Sequence, residues 1–215
     1  LSGDVGVYSG SKKRSELLGP DTEMICGISS VVYFMSKIGL SWDDAKIVSA
    51  HGKTCNLISL IRTNRKVFAI LGTGDGVRKL AEKLTFYGMG DVILHVGENL
   101  SYDNEKILAK PARELVSYEG DPLSVVCAYN PQAEPELATH GIPDEEFTRG
   151  KAPMTKTEVR TVSLAKLRFP KDAICYDIGA GTGSVSVEMG IQIRNNCNEG
   201  SVYAIEKEKD ALELI

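Results

Sequence analysis

The stretch Asp177-Ile178-Gly179-Ala180-Gly181-Thr182-Gly183, with Glu206 after it, holds the most specific chemistry in this chain of 215 residues. Three glycines stand at alternate positions behind an apolar run, Ala173 to Tyr176, that reads as a buried strand. An apolar-rich segment, Ser184 to Ile193, reads as a helix, and a second run, Val202 to Ile205, ends on the acid. Glycine admits positive φ and lets a ligand approach the backbone. The first turn of a helix presents unpaired N–H groups. An acid at the end of the next strand can accept hydrogen bonds from a ribose diol. The order of strand, glycine loop, helix, strand and acid therefore implies a site for a ribose-bearing cofactor. The dinucleotide pattern G-x-G-x-x-G is not met, because the third glycine comes one residue early. A glycine turn serving only helix–strand packing is the bland alternative, and the complete order of parts weighs against it.

Elements with the same alternation must position further loops in the first half. Lys46 to Ala50, Lys66 to Leu71, Val92 to Val96 and Leu123 to Tyr129 are rich in Val, Ile and Leu and read as strands. Ser29 to Ile38, Leu57 to Thr63 and Val77 to Tyr87 read as helices, punctuated by Gly27 and Gly88. This alternation implies a layered α/β domain. Residues 131–150 carry Pro131, Pro135 and Pro143 with several acids and little apolar periodicity, and read as a linker. A second α/β unit begins near Lys151.

Composition narrows the function classes. A net charge of −4 gives no global electrostatic case for nucleic acid or an anionic membrane. No apolar run approaches the roughly 20 residues of a membrane span. Cys26, Cys55, Cys127, Cys175 and Cys197 are scattered with no C-x-x-C pair, which argues against a zinc site and for a reduced, cytoplasmic protein. Cys127 and Cys175 lie in strand-like runs and read as buried thiols.

The first half also carries Ser2-Gly3-Asp4-Val5-Gly6-Val7-Tyr8-Ser9, then Gly27-Ile28-Ser29-Ser30, His51-Gly52-Lys53, Gly72-Thr73-Gly74-Asp75-Gly76 and Val96-Gly97-Glu98-Asn99-Leu100. Singly each is a weak signal: a glycine-flanked Asp is usually a turn, and Ser29 could be only a helix cap. As an ordered set they resemble the tetrapyrrole methylases, the class III S-adenosylmethionine (SAM) enzymes that methylate porphyrin-like rings. S-G-D-x-G-x-Y-S is similar to a cofactor loop of that family, G-I-S-S to a helix start, and V-G-E-N-L to its cobalamin-pathway branch. D-I-G-A-G-T-G resembles motif I of the class I SAM methyltransferases. Gly141 to Phe147, with Arg149-Gly150-Lys151-Ala152-Pro153-Met154-Thr155-Lys156, resembles the start of the class I partner domain of the cobalamin pathway.

The resemblance implies a fusion of a ring methylase with a methylating decarboxylase. The fold would be α/β throughout. A tetrapyrrole methylase domain of two α/β lobes, the first incomplete, would cover 1–130, then a linker 131–150, then the start of a Rossmann-like class I SAM methyltransferase domain over 151–215. The family's first strand and its glycine-rich loop would precede Leu1, and the class I domain would continue past Ile215. The implied cofactor is S-adenosyl-L-methionine at two sites. Asp4, Val7, Ser29 and Ser30 would serve the first, with Thr73 and Asp75 on a nearby loop. Thr155, Gly179, Ala180, Gly181, Thr182, Gly183 and Glu206 would serve the second. Val5 and Cys26 replace family prolines, which loosens two φ angles of the first pocket.

The implied reaction is methylation of carbons 5 and 15 of a precorrin or cobalt-precorrin tetrapyrrole, with decarboxylation of the ring C acetate and no metal site. No nucleic acid or membrane partner is implied, and self-association is. Lys12, Lys13, Arg14, Lys53, Arg62, Arg65, Lys151 and Lys156 could meet substrate carboxylates, although solvated surface charge is the usual fate of such residues. Two other readings fit the cofactor motifs: a methyltransferase acting on protein or RNA, and a non-catalytic incomplete product.

Overall fold

The computed structural model of the chain describes residues 25, 27–50, 55–134, 141–170, 172–193 and 200–215. The chain divides into two compact units, Leu1–Pro135 and Glu136–Ile215.

In unit 1, five strands form one mixed sheet: β1 (Lys46–Ser49), β2 (Lys66–Ile70), β3 (Ile93–Glu98), β4 (Lys106–Pro111) and β5 (Ser124–Tyr129), in the order β1-β2-β5-β3-β4. β1 and β2 are parallel, and the other pairings are antiparallel. Three helices cover the sheet: α1 (Ser30–Lys37), α2 (Leu57–Thr63) and α3 (Gly76–Phe86). Successive strand residues point to opposite faces, so β2 and β5 divide their side chains between two cores. Val67, Ala69, Val126 and Ala128 join Leu60 and Ile61 of α2 and Val77, Leu80, Ala81 and Leu84 of α3. Phe68, Val125 and Cys127 join Val31, Phe34 and Met35 of α1. Those three α1 residues sit at i, i+3 and i+4, the spacing that puts one helix face on a sheet. Burial pushes the Cys127 thiol up to about 12, so it is an inert packing group, as its strand position implied.

The expected strands and helices of this half recur with ends within two residues. β4 was not expected. It pairs only with β3 and exposes Lys106 and Lys110, the composition of a protected edge rather than a central strand.

The Val96-to-Leu100 motif has a packing role here. A Cβ on Gly97 would stand 2.5 Å from Cε2 of Phe34 and 2.9 Å from Cδ2 of Leu100. The ring of Phe34 thus lies directly on the backbone of β3, and this seats α1, whose first turn begins at Ser30. Beside it Glu98, 5% exposed, accepts the Asp121 N–H at 3.0 Å. That bond holds the 118–122 loop, where Gly120 donates its N–H to the Gly74 carbonyl.

In unit 2, β6 (Ile174–Ile178) and β7 (Ser201–Ile205) are parallel. A parallel pair needs a crossover, and α5 (Ser184–Ile193) supplies it. α4 (Thr157–Leu167) precedes β6, and a single turn, α6 (Lys209–Leu212), follows β7. The buried strand expected at Ala173 to Tyr176 is half right. β6 alternates, and Ile174, Tyr176 and Ile178 are exposed together with Tyr203 and Ile205 of β7. Tyr176 and Tyr203 stack on that open face at 5.2 Å. Among the described residues, α5 packs on the other face, where Ser186 donates to Asp177. Cys175 is accordingly only half-buried.

The unit boundary falls inside the stretch expected as a linker. Asn130 is buried and donates to the Ile61 carbonyl, and the Glu134 N–H reaches the Arg62 carbonyl, which ties 130–134 to unit 1. Gly141 and Ile142 donate to Glu188, which ties the other flank to unit 2.

Because Gly97 leaves no room for a methyl group, Gly97→Ala is expected to destabilise unit 1 by about 1–3 kcal/mol through overpacking. Trp42 is the only tryptophan of the chain and lies in unit 1. Its fluorescence during urea unfolding measures the loss directly.

Candidate cofactor site

The loop after β6 is built from backbone. Gly179, Gly181 and Gly183 have φ of +80°, +57° and +74°, values that other residues rarely hold. The N–H groups of Gly179 and Ala180 donate to the Ile205 carbonyl at 2.8 and 3.1 Å, so the loop leaves the sheet against the end of β7. Gly183 then donates to Ala180 and accepts from Val187, which opens α5.

Glu206 closes the loop from the other side. Its Oε2 accepts the Gly181 N–H at 2.8 Å, and its Oε1 accepts the N–H groups of Lys207 and Glu208 at 2.6 and 3.0 Å. These amides, those of Glu208 and Gly181 foremost, hold its carboxyl below the usual glutamate range. The group is therefore ionised at neutral pH. A carboxylate offers about four acceptor positions, so Oε2 keeps one for a ligand.

Thr155, Gly179, Gly181 and Glu206 line one cavity of about 820 Å³. Its other walls are Lys151 to Met154 and Lys207 to Ala211. A Cβ on Gly179 would meet nothing within 4 Å, whereas one on Gly181 would lie 3.2 Å from the Pro153 carbonyl oxygen. The loop is thus open at one glycine and roofed by the 151–155 segment at the next. Ala180 and Thr182 are buried behind it, and the Thr182 hydroxyl has no partner among the described residues.

The roof segment is held by a group that the sequence did not single out. Arg160 of α4 has no exposed surface. Its Nε donates to Oε1 of Glu188 in α5, also buried. Nη1 donates to the Thr155 carbonyl and to Asp144, and Nη2 to the Ile142 carbonyl and the Thr157 hydroxyl. The five N–H donors of the guanidinium therefore all have acceptors, and its plane lies over the Phe147 ring at 4.7 Å. The hydroxyl of Thr157, then Lys156 and Arg160, hold the Asp144 carboxyl at about 2, against an ordinary 3.8.

The expected first site is described only in part. Asp4 and Val7 lie outside the described residues, as do Lys12, Lys13, Arg14 and Lys53. Ser29 is buried in extended backbone just before α1, its side chain making no cap bond, and Ser30 opens the helix. Asp75 precedes α3, and the Lys79 ammonium holds its carboxyl below the usual range. The four described basic residues expected to meet substrate carboxylates have local partners. Arg62 reaches the Tyr87 carbonyl, Arg65 the Tyr129 hydroxyl, Lys151 faces Asp210 and Lys156 faces Asp144.

Residues 145–215, which hold this loop, acid and cavity, match the family model described as precorrin methyltransferase domain. This segment, about a third of the chain, is similar to that family. A precorrin-6Y C(5,15)-methyltransferase [decarboxylating] of a Sinorhizobium species is 30% identical over 74% of the chain and 40% of its own length. A probable cobalt-precorrin-6B C(15)-methyltransferase (decarboxylating) of Sulfurisphaera tokodaii is 55% identical over 34% of the chain and 38% of its own length. The chain thus spans about two fifths of the length of these curated relatives. Among solved structures, a precorrin-6y C5,15-methyltransferase of Geobacter metallireducens aligns over 35% of the chain and 38% of its own, with 41% identity and a TM-score of 0.31. A uroporphyrin III C-methyl transferase of Thermus thermophilus aligns over 60% of each chain with 18% identity and a TM-score of 0.48.

Asp144 gives this region a pH signature. Its folded pKa lies below the unfolded value, so its carboxylate stabilises the fold fully above about pH 4 and loses that effect as pH falls toward 2. Asp144→Asn is expected to remove this acid-dependent part. Amide exchange in α4, measured between pH 5 and 2, should then lose protection less steeply than in the wild type.

Proposed function

We propose that the chain forms part of a SAM-dependent methyltransferase of cobalamin biosynthesis, one that methylates carbons 5 and 15 of a precorrin or cobalt-precorrin and decarboxylates its ring C acetate. The observation that carries this reading is the loop of three positive-φ glycines closed on the Glu206 carboxylate, within the segment that matches precorrin methyltransferases. The cavity suits the cofactor. Its volume falls within the roughly 300–1,000 Å³ of small-molecule sites. The open side of Gly179 admits a ligand against the backbone, and Glu206 keeps an acceptor for a ribose hydroxyl.

S-adenosylmethionine, when bound, supplies a sulfonium methyl group for in-line displacement. The residues of this chain act by holding and drying the site. Glu206 fixes the ribose end while staying bound to Gly181. Gly179 and Gly181 present the loop backbone to the ligand on the cavity side. Thr155 and Met154 form the opposite wall. Orientation of this kind can supply roughly 7–11 kcal/mol of the barrier.

In the same reading, residues 1–130 belong to a tetrapyrrole methylase domain. Asp4, Val7, Ser29 and Ser30 would contact a second cofactor there, and Thr73 and Asp75 would stand nearby. Residues 131–150 join it to the domain that starts at Lys151. The complete enzyme would work in the cytoplasm as a self-associating protein without nucleic acid or membrane partners. Among the described residues no helix is long and apolar enough to cross a membrane.

Titration calorimetry of the chain with S-adenosylhomocysteine tests the cofactor site. Binding is expected, and Glu206→Ala should weaken it about tenfold or more, since truncation removes both the ribose acceptor and the Gly181 tether. A wild-type chain that binds no S-adenosylhomocysteine would overturn the reading. For the complete enzyme, product mass from the precorrin substrate should show two added methyl groups and one lost carbon dioxide.

A further inference from the structure

Arg160 and Glu188 join the two sides of the cavity without lining it. Glu188 sits in the second turn of α5, the helix that starts directly behind the glycine loop. Arg160 sits in the first turn of α4 and reaches back to the Thr155 carbonyl at 2.5 Å, on the roof segment. That segment crosses the loop so closely that the Pro153 oxygen stands 3.2 Å from where a Gly181 Cβ would be. The same pair also fixes the start of the unit. Glu188 accepts the N–H groups of Gly141 and Ile142 at 2.7 and 3.1 Å, while Arg160 donates to the Ile142 carbonyl.

A buried ion pair is a poor device for stability alone, because apolar side chains of similar volume commonly hold two helices as well. What apolar side chains cannot do is present five directed donors at fixed angles, and lysine cannot do so either. The Arg160 bond to the Thr155 carbonyl, with its bond to Glu188, thus ties the roof segment to α5.

We propose that Arg160 and Glu188 are positioning residues for the cofactor: they hold the 151–155 segment across the glycine loop and thereby set affinity for an S-adenosyl ligand. The inference rests on the cofactor reading above and names how that site is kept in shape. It applies preorganisation, in which a wall fixed before binding need not be ordered by the ligand.

The test compares the wild-type chain with Arg160→Met/Glu188→Gln, in which the charges leave together and the amide oxygen can still accept one of the two N–H groups of Gly141 and Ile142. S-adenosylhomocysteine affinity is read by calorimetry, folding by thermal denaturation, and local order by amide exchange at Thr155 and Gly181. The double variant is expected to stay folded, bind about tenfold more weakly, and exchange faster at those two amides but not across β6 and β7. An affinity within about twofold of wild type in the folded variant overturns the inference. If the double variant does not fold, Arg160→Lys, which keeps the charge but not the fork, is read in the same way: weaker binding is expected, and unchanged binding overturns the inference. A wild-type chain that binds no ligand overturns the cofactor reading instead, and the inference with it.

Discussion

One interaction recurs at several described loops: a carboxylate receives main-chain N–H groups. Glu206, just past β7, takes the N–H of Gly181. Glu188 takes those of Gly141 and Ile142, Glu98 that of Asp121, and Glu105 that of Ser101. Such charge-assisted bonds are shorter and roughly twice as strong as neutral ones. They also point in a fixed direction, which a hydrophobic contact does not. Loops cannot be ordered by burial, since their polar backbone must be satisfied. A carboxylate planted on a strand end or a helix satisfies that backbone and locks the loop to the scaffold in one step. At Glu206 the same group that locks the loop also lines the cavity.

The two units place these anchors on sheets of different completeness. In unit 1, β2 and β5 are covered on both faces, and their side chains alternate between two cores. That packing is dense enough at Gly97 for an aromatic ring to rest on bare backbone. In unit 2 the two parallel strands half-bury one face and present Ile174, Tyr176, Ile178, Tyr203 and Ile205 on the other. Parallel strands are ordinarily apolar on both sides because both sides are covered, and the apolar residues on the open face follow that rule. The cofactor loop does not depend on that face. Its bonds run to Ile205, Glu206 and α5 along the strand ends.

What the sequence made legible follows from locality. Strand runs rich in Val and Ile, helices with a regular apolar stripe, and glycines at alternate positions all declare themselves within a dozen residues. The acid at Glu206 was legible because a strand had to follow the helix and end somewhere. β4 was not, since Lys106, Lys110 and Pro111 give an edge strand no apolar period. α4 was hidden for a related reason. Its most buried residue is Arg160, so a charge stands where the stripe should be apolar. A charge on a helix ordinarily marks the solvated face, and only the approach of Glu188, 28 residues later, reverses that meaning. One local hint existed: Glu188 is the only charge in the otherwise apolar segment from Ser184 to Ile193. Thr155 likewise depends on a segment far from the loop in sequence, and only its likeness to a family motif marked it.

The three glycines of the loop look equivalent in sequence and are not equivalent in space. All three hold positive φ, so any side chain would strain the turn. Beyond strain, their surroundings differ. A side chain on Gly183 would meet Ile215 and one on Gly181 would meet the Pro153 carbonyl, so these two positions are closed by the protein itself. At Gly179 the protein leaves the space empty. Tight packing is the default of protein interiors, and Gly179 instead borders the open cavity. The alternate glycines therefore do three separate jobs within five residues: one borders the open cavity, one lets the roof segment approach, and one lets the helix begin.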